Sequence, residues 1–202
     1  MILTEKMGRT YKKHSVQVNL REHVSEKDYF FDNLQNMIPE KTLYREHPQV
    51  RRTSGNIWEL TPQLVDADDE EYGREDEPHV TVLYGLTRSP ELFKIMRRLR
   101  ETAPFDVELG GVSFFGNRPE YDVVKVDVVS PGLVELNGWL KKNCTVEQTY
   151  PDYRPHMTLA YVLKESTPVC LFDNPYLGKK IRIESLEFSH RDGTKICMPL
   201  GA

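Results

Sequence analysis

The chain has 202 residues, 39% of them hydrophobic and 29% charged, with a formal net charge of −4. That is enough for one sizeable domain or two small ones of ordinary globular composition. The acidic balance excludes a protein that coats nucleic acid through a broad basic face, though not one that holds a small nucleotide in a local basic pocket.

Three cysteines, Cys144, Cys170 and Cys197, form no CxxC pair and are an odd number. They read as thiols in a reducing compartment. No apolar run approaches the roughly 18 residues of a membrane helix. The stretch "MILTEKMGRTYKKH" lacks a secretory apolar core. The expectation is a soluble cytoplasmic protein, in the host cytoplasm if viral, with no membrane partner and no broad duplex binding. Nothing in the residues sets an oligomeric state.

In chain order, residues 15–20 "SVQVNL" alternate as a half-buried strand. A helix follows over 26–38, with Ser25 as its cap, Asp28 at the capping-box position and Pro39 as its stop. Residues 39–77 are irregular: "NIWEL" reads as a strand and the acidic "DADDEEYGRED" as a solvated loop. "HVTVLYG" from His79 is a strand. "SPELFKIMRRLRETA" is a helix capped by Ser89, with Pro90 in its first turn and Leu92, Ile95, Met96 and Leu99 on one face. "FDVELGGVSFFG" and "YDVVKVDVV" are two strands joined at 117–120. "SPGLVELNGWLKKN" repeats the Ser-Pro helix start, and "HMTLAYV" is another strand. "KKIRIESLEFSH" and "KICMPL" read as a closing hairpin around "RDGT".

This order repeats. Strand, helix, insertion and strand fill 15–86; strand, helix, short loop and strand fill 121–163. The reading is a single α+β domain over 1–202 with an internal duplication and an inserted loop region at 39–77.

Within the repeat, "PHVTVLYGL" at 78–86 and "PHMTLAYVL" at 155–163 share Pro, His, Thr, Tyr and Leu. Strand alternation turns His79 and Thr81 one way, and His156 and Thr158 likewise. It turns Val80, Val82 and Tyr84, and Met157, Leu159 and Tyr161, toward the core. Two imidazole–hydroxyl pairs suit phosphodiester cleavage. One neutral histidine takes a proton from the nucleophile while the other, protonated, gives one to the leaving oxygen. The threonines hydrogen-bond the non-bridging phosphate oxygens. No metal or other cofactor is required. One His-x-Thr among six histidines is weak evidence; two with a shared Pro and Tyr are far more specific. His14, His23, His47 and His190 have no such context and are assigned no role.

The paired motifs "HVTV" and "HMTL" resemble those of the 2H phosphoesterase superfamily. Its members include RNA 2′,3′-cyclic phosphodiesterases, viral 2′,5′-oligoadenylate phosphodiesterases, and phage enzymes that degrade the cyclic oligonucleotide signals of bacterial immunity. The resemblance implies a bilobal, pseudo-two-fold α+β fold, with antiparallel sheets lining a central cleft and helices packed outside. It implies that His79 and His156 are the acid/base pair and that Thr81 and Thr158 bind phosphate. The insertion at 39–77 departs from compact members of the family.

Substrate contacts are sought at the cleft mouth: Arg154 for phosphate, and Tyr153, Phe172 and Tyr176 for stacking on bases. Arg118 reads as a surface cation. The leading function is a metal-independent phosphodiesterase acting on a 2′,3′-cyclic phosphate, a 2′,5′ linkage or a cyclic oligonucleotide, including the setting of a phage anti-immunity enzyme. A nucleotide-sequestering module on the same fold is the alternative. A metal site built on both histidines is a third reading, disfavoured because no carboxylate or cysteine lies near either motif at ligand spacing.

Overall fold

The computed structural model describes residues 3–4, 13–44, 73–87, 91–116, 118–147 and 152–201. The strands are β1 (Leu3–Thr4), β2 (His14–Asn19), β3 (His79–Leu86), β4 (Phe105–Phe115), β5 (Tyr121–Val129), β6 (His156–Leu163), β7 (Lys180–Ile183), β8 (Ser185–Ser189) and β9 (Lys195–Pro199). The helices are α1 (Phe30–Asn36), α2 (Glu91–Arg100) and α3 (Pro131–Asn143). Every strand pair is antiparallel, in the order β1-β9-β8-β2-β3-β6-β5-β4-β7.

From its centre outward this order reads as two lobes. β3 is followed by β2, β8 and β9 on one side; β6 is followed by β5, β4 and β7 on the other. Each lobe borrows from the other part of the chain: β4 follows β3 in sequence but lies beside β5, while β8 and β9 close on β2. The helices cross over too. α1 packs on β6 and α3 on β3. The lobes meet at one registered pair, Val80 with Met157.

Beyond that pair the two central strands splay, and chain from outside the sheet takes their freed edges. Tyr161 N donates to Gly73 O (2.8 Å), Glu75 N to Leu159 O (3.0 Å) and Tyr44 N to Tyr161 O (2.9 Å). On β3, Glu147 N donates to Gly85 O at 3.0 Å. That approach explains why the second repeat has Val162 where the first has Gly85. Gly85 sits at φ +102°, and a Cβ there would lie 2.4 Å from the Glu147 carbonyl oxygen.

One face of the sheet is apolar. Val16, Val18, Val80, Val82, Val124, Val126, Met157 and Leu159 are fully buried there with Phe30, Leu34, Ile95, Leu133 and other helical side chains. Burying each such side chain contributes about 1.5–3 kcal/mol before chain entropy is subtracted.

Several sequence expectations are met. The β4–β5 hairpin forms. α3 begins at Pro131 with the Ser130 hydroxyl accepting from Leu133 N. α2 buries Ile95 and Leu99 with Leu92 and Met96 partly covered. Ser89, Pro90, His47, "NIWEL" and most of the acidic run lie outside the described residues.

Three expectations are corrected. α1 starts at Phe30, not near Ser25. Asp28 N turns back to Ser25 O at 2.9 Å, and the Asp28 carboxylate accepts from Phe30 N at 3.4 Å, so residues 25–28 make a turn before the helix. The stretch read as one hairpin arm breaks at Glu184: β7 pairs with β4 at one edge, and β8 pairs with β2 in the opposite lobe. Tyr84 and Tyr161 are not on the core face, because each central strand carries a bulge.

Candidate active site

One bulge in each central strand is placed alike; β3 has a second register shift, which leaves Gly85 over opposite His14–Ser15. Opposite Val16–Gln17 of β2, the residues of β3 are Leu83 and Thr81, with Val82 left over. Opposite Val124–Lys125 of β5, those of β6 are Ala160 and Thr158, with Leu159 left over. One extra residue shifts the alternation by a step. Tyr84, opposite Ser15, and Tyr161, opposite Val123, therefore join His and Thr on the open face and are half-buried. Each bulge is secured from behind by a buried carboxamide of the opposite part of the chain. Asn137 Nδ2 of α3 donates to Val82 O (2.7 Å), and Gln35 Nε2 of α1 to Leu159 O (2.8 Å).

The antiparallel pairing at Val80–Met157 sets the four motif residues at the corners of a small quadrilateral. Stepping one residue outward, His79 faces Thr158 and Thr81 faces His156. The histidines thus occupy one diagonal and the threonines the other.

Both imidazoles are held the same way. His79 Nδ1 lies 3.2 Å from Glu77 O, and His156 Nδ1 lies 2.7 Å from Arg154 O, each two residues earlier. A carbonyl can only accept, so Nδ1 carries the hydrogen and Nε2 is left to exchange protons. The prolines before them anchor the strand starts: Pro78 O accepts from Leu20 N (2.7 Å) and Pro155 O from Val128 N (3.0 Å).

The surroundings differ. Beside Thr158 and His156, β5 places Lys125 and Asp127, which form an ion pair. Beside Thr81 and His79, β2 places Gln17 and Asn19. Gln17 donates to Glu187 (3.2 Å), and Lys195 pairs with Glu187 (3.5 Å) and with Glu77. Burial, reinforced by the Glu187 carboxylate, raises the Glu22 carboxyl above its ordinary value. Burial is also the largest influence on His156, which is held below the ordinary histidine value. Lys125 and His79 push the same way; the Arg154 carbonyl and Asp127 push back.

Of the expected contact residues, Tyr153 and Arg154 lie on the segment leading into β6. The Tyr153 ring packs partly buried against the core and its hydroxyl donates to Thr81 O (3.2 Å), so it braces the first half-site from the second. Burial raises its phenol far above the usual range. Arg154 is exposed. Tyr176 is on the helix side of the sheet: its hydroxyl accepts from Asn33 of α1 (2.7 Å) and its ring stands edge-on to Phe30. Phe172 packs partly buried against the same core. Neither of these two is brought to the histidines.

Sequence reasoning passed over Lys125, Asp127, Ser113 and Phe115. The signal was present in part: "YDVVKVDVV" puts Lys125 and Asp127 two apart, on one face of a strand otherwise rich in valine. Among the described residues, no group of three or more His, Cys, Asp or Glu side chains has an arrangement that holds a metal ion.

This fold and these paired motifs define a class, and comparison with known proteins agrees. The family model of the 2′-5′ RNA ligase superfamily matches residues 52–171, more than half of the chain and a stretch holding both motifs. The chain belongs to that superfamily, the 2H phosphoesterases. The crystal structure of TT0787 of Thermus thermophilus is similar over 94% of this chain and 98% of its own, at 15% identity and a TM-score of 0.54. Kluyveromyces marxianus Usb1 with uridine monophosphate is similar over 95% of this chain and 99% of its own, at 13% identity and a TM-score of 0.52. At these identities the likeness is one of fold. No curated protein sequence matches the chain.

Proposed function

We propose that this protein is a metal-independent phosphodiesterase that cleaves a nucleotide phosphodiester by histidine acid–base catalysis. The observation that carries this reading is the quadrilateral of two His and two Thr across the β3–β6 junction. A phosphate centred there has an imidazole on either side, as an in-line displacement needs, and a hydroxyl for each non-bridging oxygen. One histidine Nε2 takes the proton of the attacking water or ribose hydroxyl as its oxygen bonds to phosphorus. The other gives its proton to the leaving ribose oxygen as that P–O bond breaks. Charge developing on the non-bridging oxygens falls on the threonine hydroxyls. Uridine monophosphate in the Usb1 structure supports a nucleotide as the ligand class for this fold.

The candidate linkages are a 2′,3′-cyclic phosphate, a 2′,5′ bond and the internucleotide bond of a cyclic oligonucleotide signal. The test is turnover by chelator-treated protein over a panel of all three. Cleavage of at least one, undiminished by excess chelator and lost in His79→Ala, is the expected result. No cleavage of any, or activity abolished by chelator and restored by added metal, overturns the reading.

A further inference from the structure

The two half-sites carry the same motif, yet the chemistry needs them unlike: at the start of a turnover one imidazole is neutral and the other charged. What distinguishes them lies one strand further out. The Lys125 side chain is only 6% exposed. Its ammonium pairs with Asp127, donates to Ser113 Oγ at 2.6 Å and sits 4.5 Å from the centre of the Phe115 ring. Ser113 Oγ donates to the other Asp127 oxygen at 3.0 Å. The Phe115 ring stands edge-on to the His156 ring, 4.8 Å away at 86°. Strand register puts Lys125 beside Thr158 and Asp127 beside His156. This network therefore spans the whole second half-site.

At the matched positions of the first lobe, Gln17 stands for Lys125, Asn19 for Asp127 and Glu187 for Ser113. The uncharged Gln17 thus fills the place of the buried ammonium, and the carboxylate beside it, Glu187, is paired with Lys195. Burying an ammonium is costly, and packing a valine-rich strand does not call for it.

We propose that Lys125, held by Asp127, Ser113 and Phe115, is a positioning residue that commits the His156 half-site to the general-base role and leaves His79 as the general acid. This deepens the phosphodiesterase reading and rests on it. Among the described residues, the charged and titratable groups that act on His156 are Lys125 and Asp127 from β5 and His79 from β3, with the Arg154 carbonyl on its own strand. The lysine cation disfavours a second positive charge on the neighbouring imidazole, and burial acts in the same direction. His156 enters the cycle neutral and receives the nucleophile's proton. His79 enters as imidazolium and delivers its proton to the leaving oxygen. Exchange with solvent water then restores both.

Two substitutions with opposite electrostatic signs test this. Lys125→Gln copies the first lobe and removes the cation; Asp127→Asn removes the anion. The acidic limb of the kcat/KM–pH profile is expected to move up by on the order of one pH unit in the first variant and down in the second. The His156 imidazole resonance of the free protein, assigned by its absence in His156→Gln, is expected to titrate in step. Lys125→Met serves where Lys125→Gln does not fold. Loss of turnover in both variants with an unmoved limb, or shifts of the same sign, overturns the proposal and leaves Lys125 a structural residue. A wild type that cleaves no diester overturns the phosphodiesterase reading instead. The His156 titration still decides this one, an unmoved midpoint in both variants overturning it.

Discussion

The half-site around His79 and the half-site around His156 are built on the same strand, with the same bulge, the same proline anchor and the same carbonyl behind Nδ1. They differ in what the adjoining strand supplies. β2 offers Gln17 and Asn19, backed by Glu187 and Lys195; β5 offers Lys125 and Asp127, backed by Ser113 and Phe115. In the proposed chemistry, repetition supplies two proton carriers, while the neighbours decide what each carries. A symmetric pair of histidines with symmetric neighbours would have no preferred direction.

The hardest test of this comparison removes one imidazole at a time. His79→Ala and His156→Ala are each expected to lower turnover by about 10²–10⁴-fold with ligand affinity largely kept. The double variant should fall little below the worse single, because the two groups act in one step. Steady-state kinetics beside calorimetric binding checks both. Retention of turnover within about tenfold in either single variant would break the picture of two complementary half-sites.

A smaller effect is expected at the bulges. Asn137→Leu and Gln35→Leu each leave a buried strand carbonyl without its carboxamide partner, at a cost of about 1–3 kcal/mol. Leu159 O keeps its bond from Glu75 N (3.0 Å) when Gln35 is lost, while Glu75 O loses one (2.7 Å), so the two variants should cost about the same. Denaturant midpoints at unchanged m-value measure this. A loss of stability confined to one of the two variants would show that the bulges are not held alike.

The smallest effect is a slope with pH. His14, His23 and His156 are all held below the ordinary histidine value of 6.5, with burial the largest cause in each. The unfolded chain then binds more protons than the folded one as pH drops through and below about 6.5. Stability should therefore be fully present above that pH and fall as the solution is acidified through the folded values. Melting temperatures between pH 8 and 5 give the sign, and His156→Gln should flatten the slope in proportion to its share. Glu22, held above its ordinary 4.5, works in the opposite sense: its contribution is present below that pH and lost as pH rises through its folded value. A melting temperature that rises on acidification from pH 7 to 6 would contradict the buried histidines.

The amino-acid sequence alone determined which residues carry the motif, the strand–helix–strand order around each copy, the α3 cap at Ser130 and the apolar face of α2. Those features are local: periods of two and 3.6, a proline, a cap and a fixed spacing are written in neighbouring residues. Only the tertiary structure decided how far the alternation runs. The bulges that turn Tyr84 and Tyr161 to the open face are secured by Asn137 and Gln35, which lie far from them in sequence. Only pairing across the sheet divided 180–189 between opposite lobes, since β7 and β8 read locally as one strand. The same holds for the contrast between the half-sites. Lys125 and Asp127 were visible as polar breaks in a valine strand. Their meaning came from β4, which brings Ser113 and Phe115 beside them, and from β6, which brings His156. Strand neighbours are chosen by burial and backbone pairing over the whole chain, and no local window contains that choice.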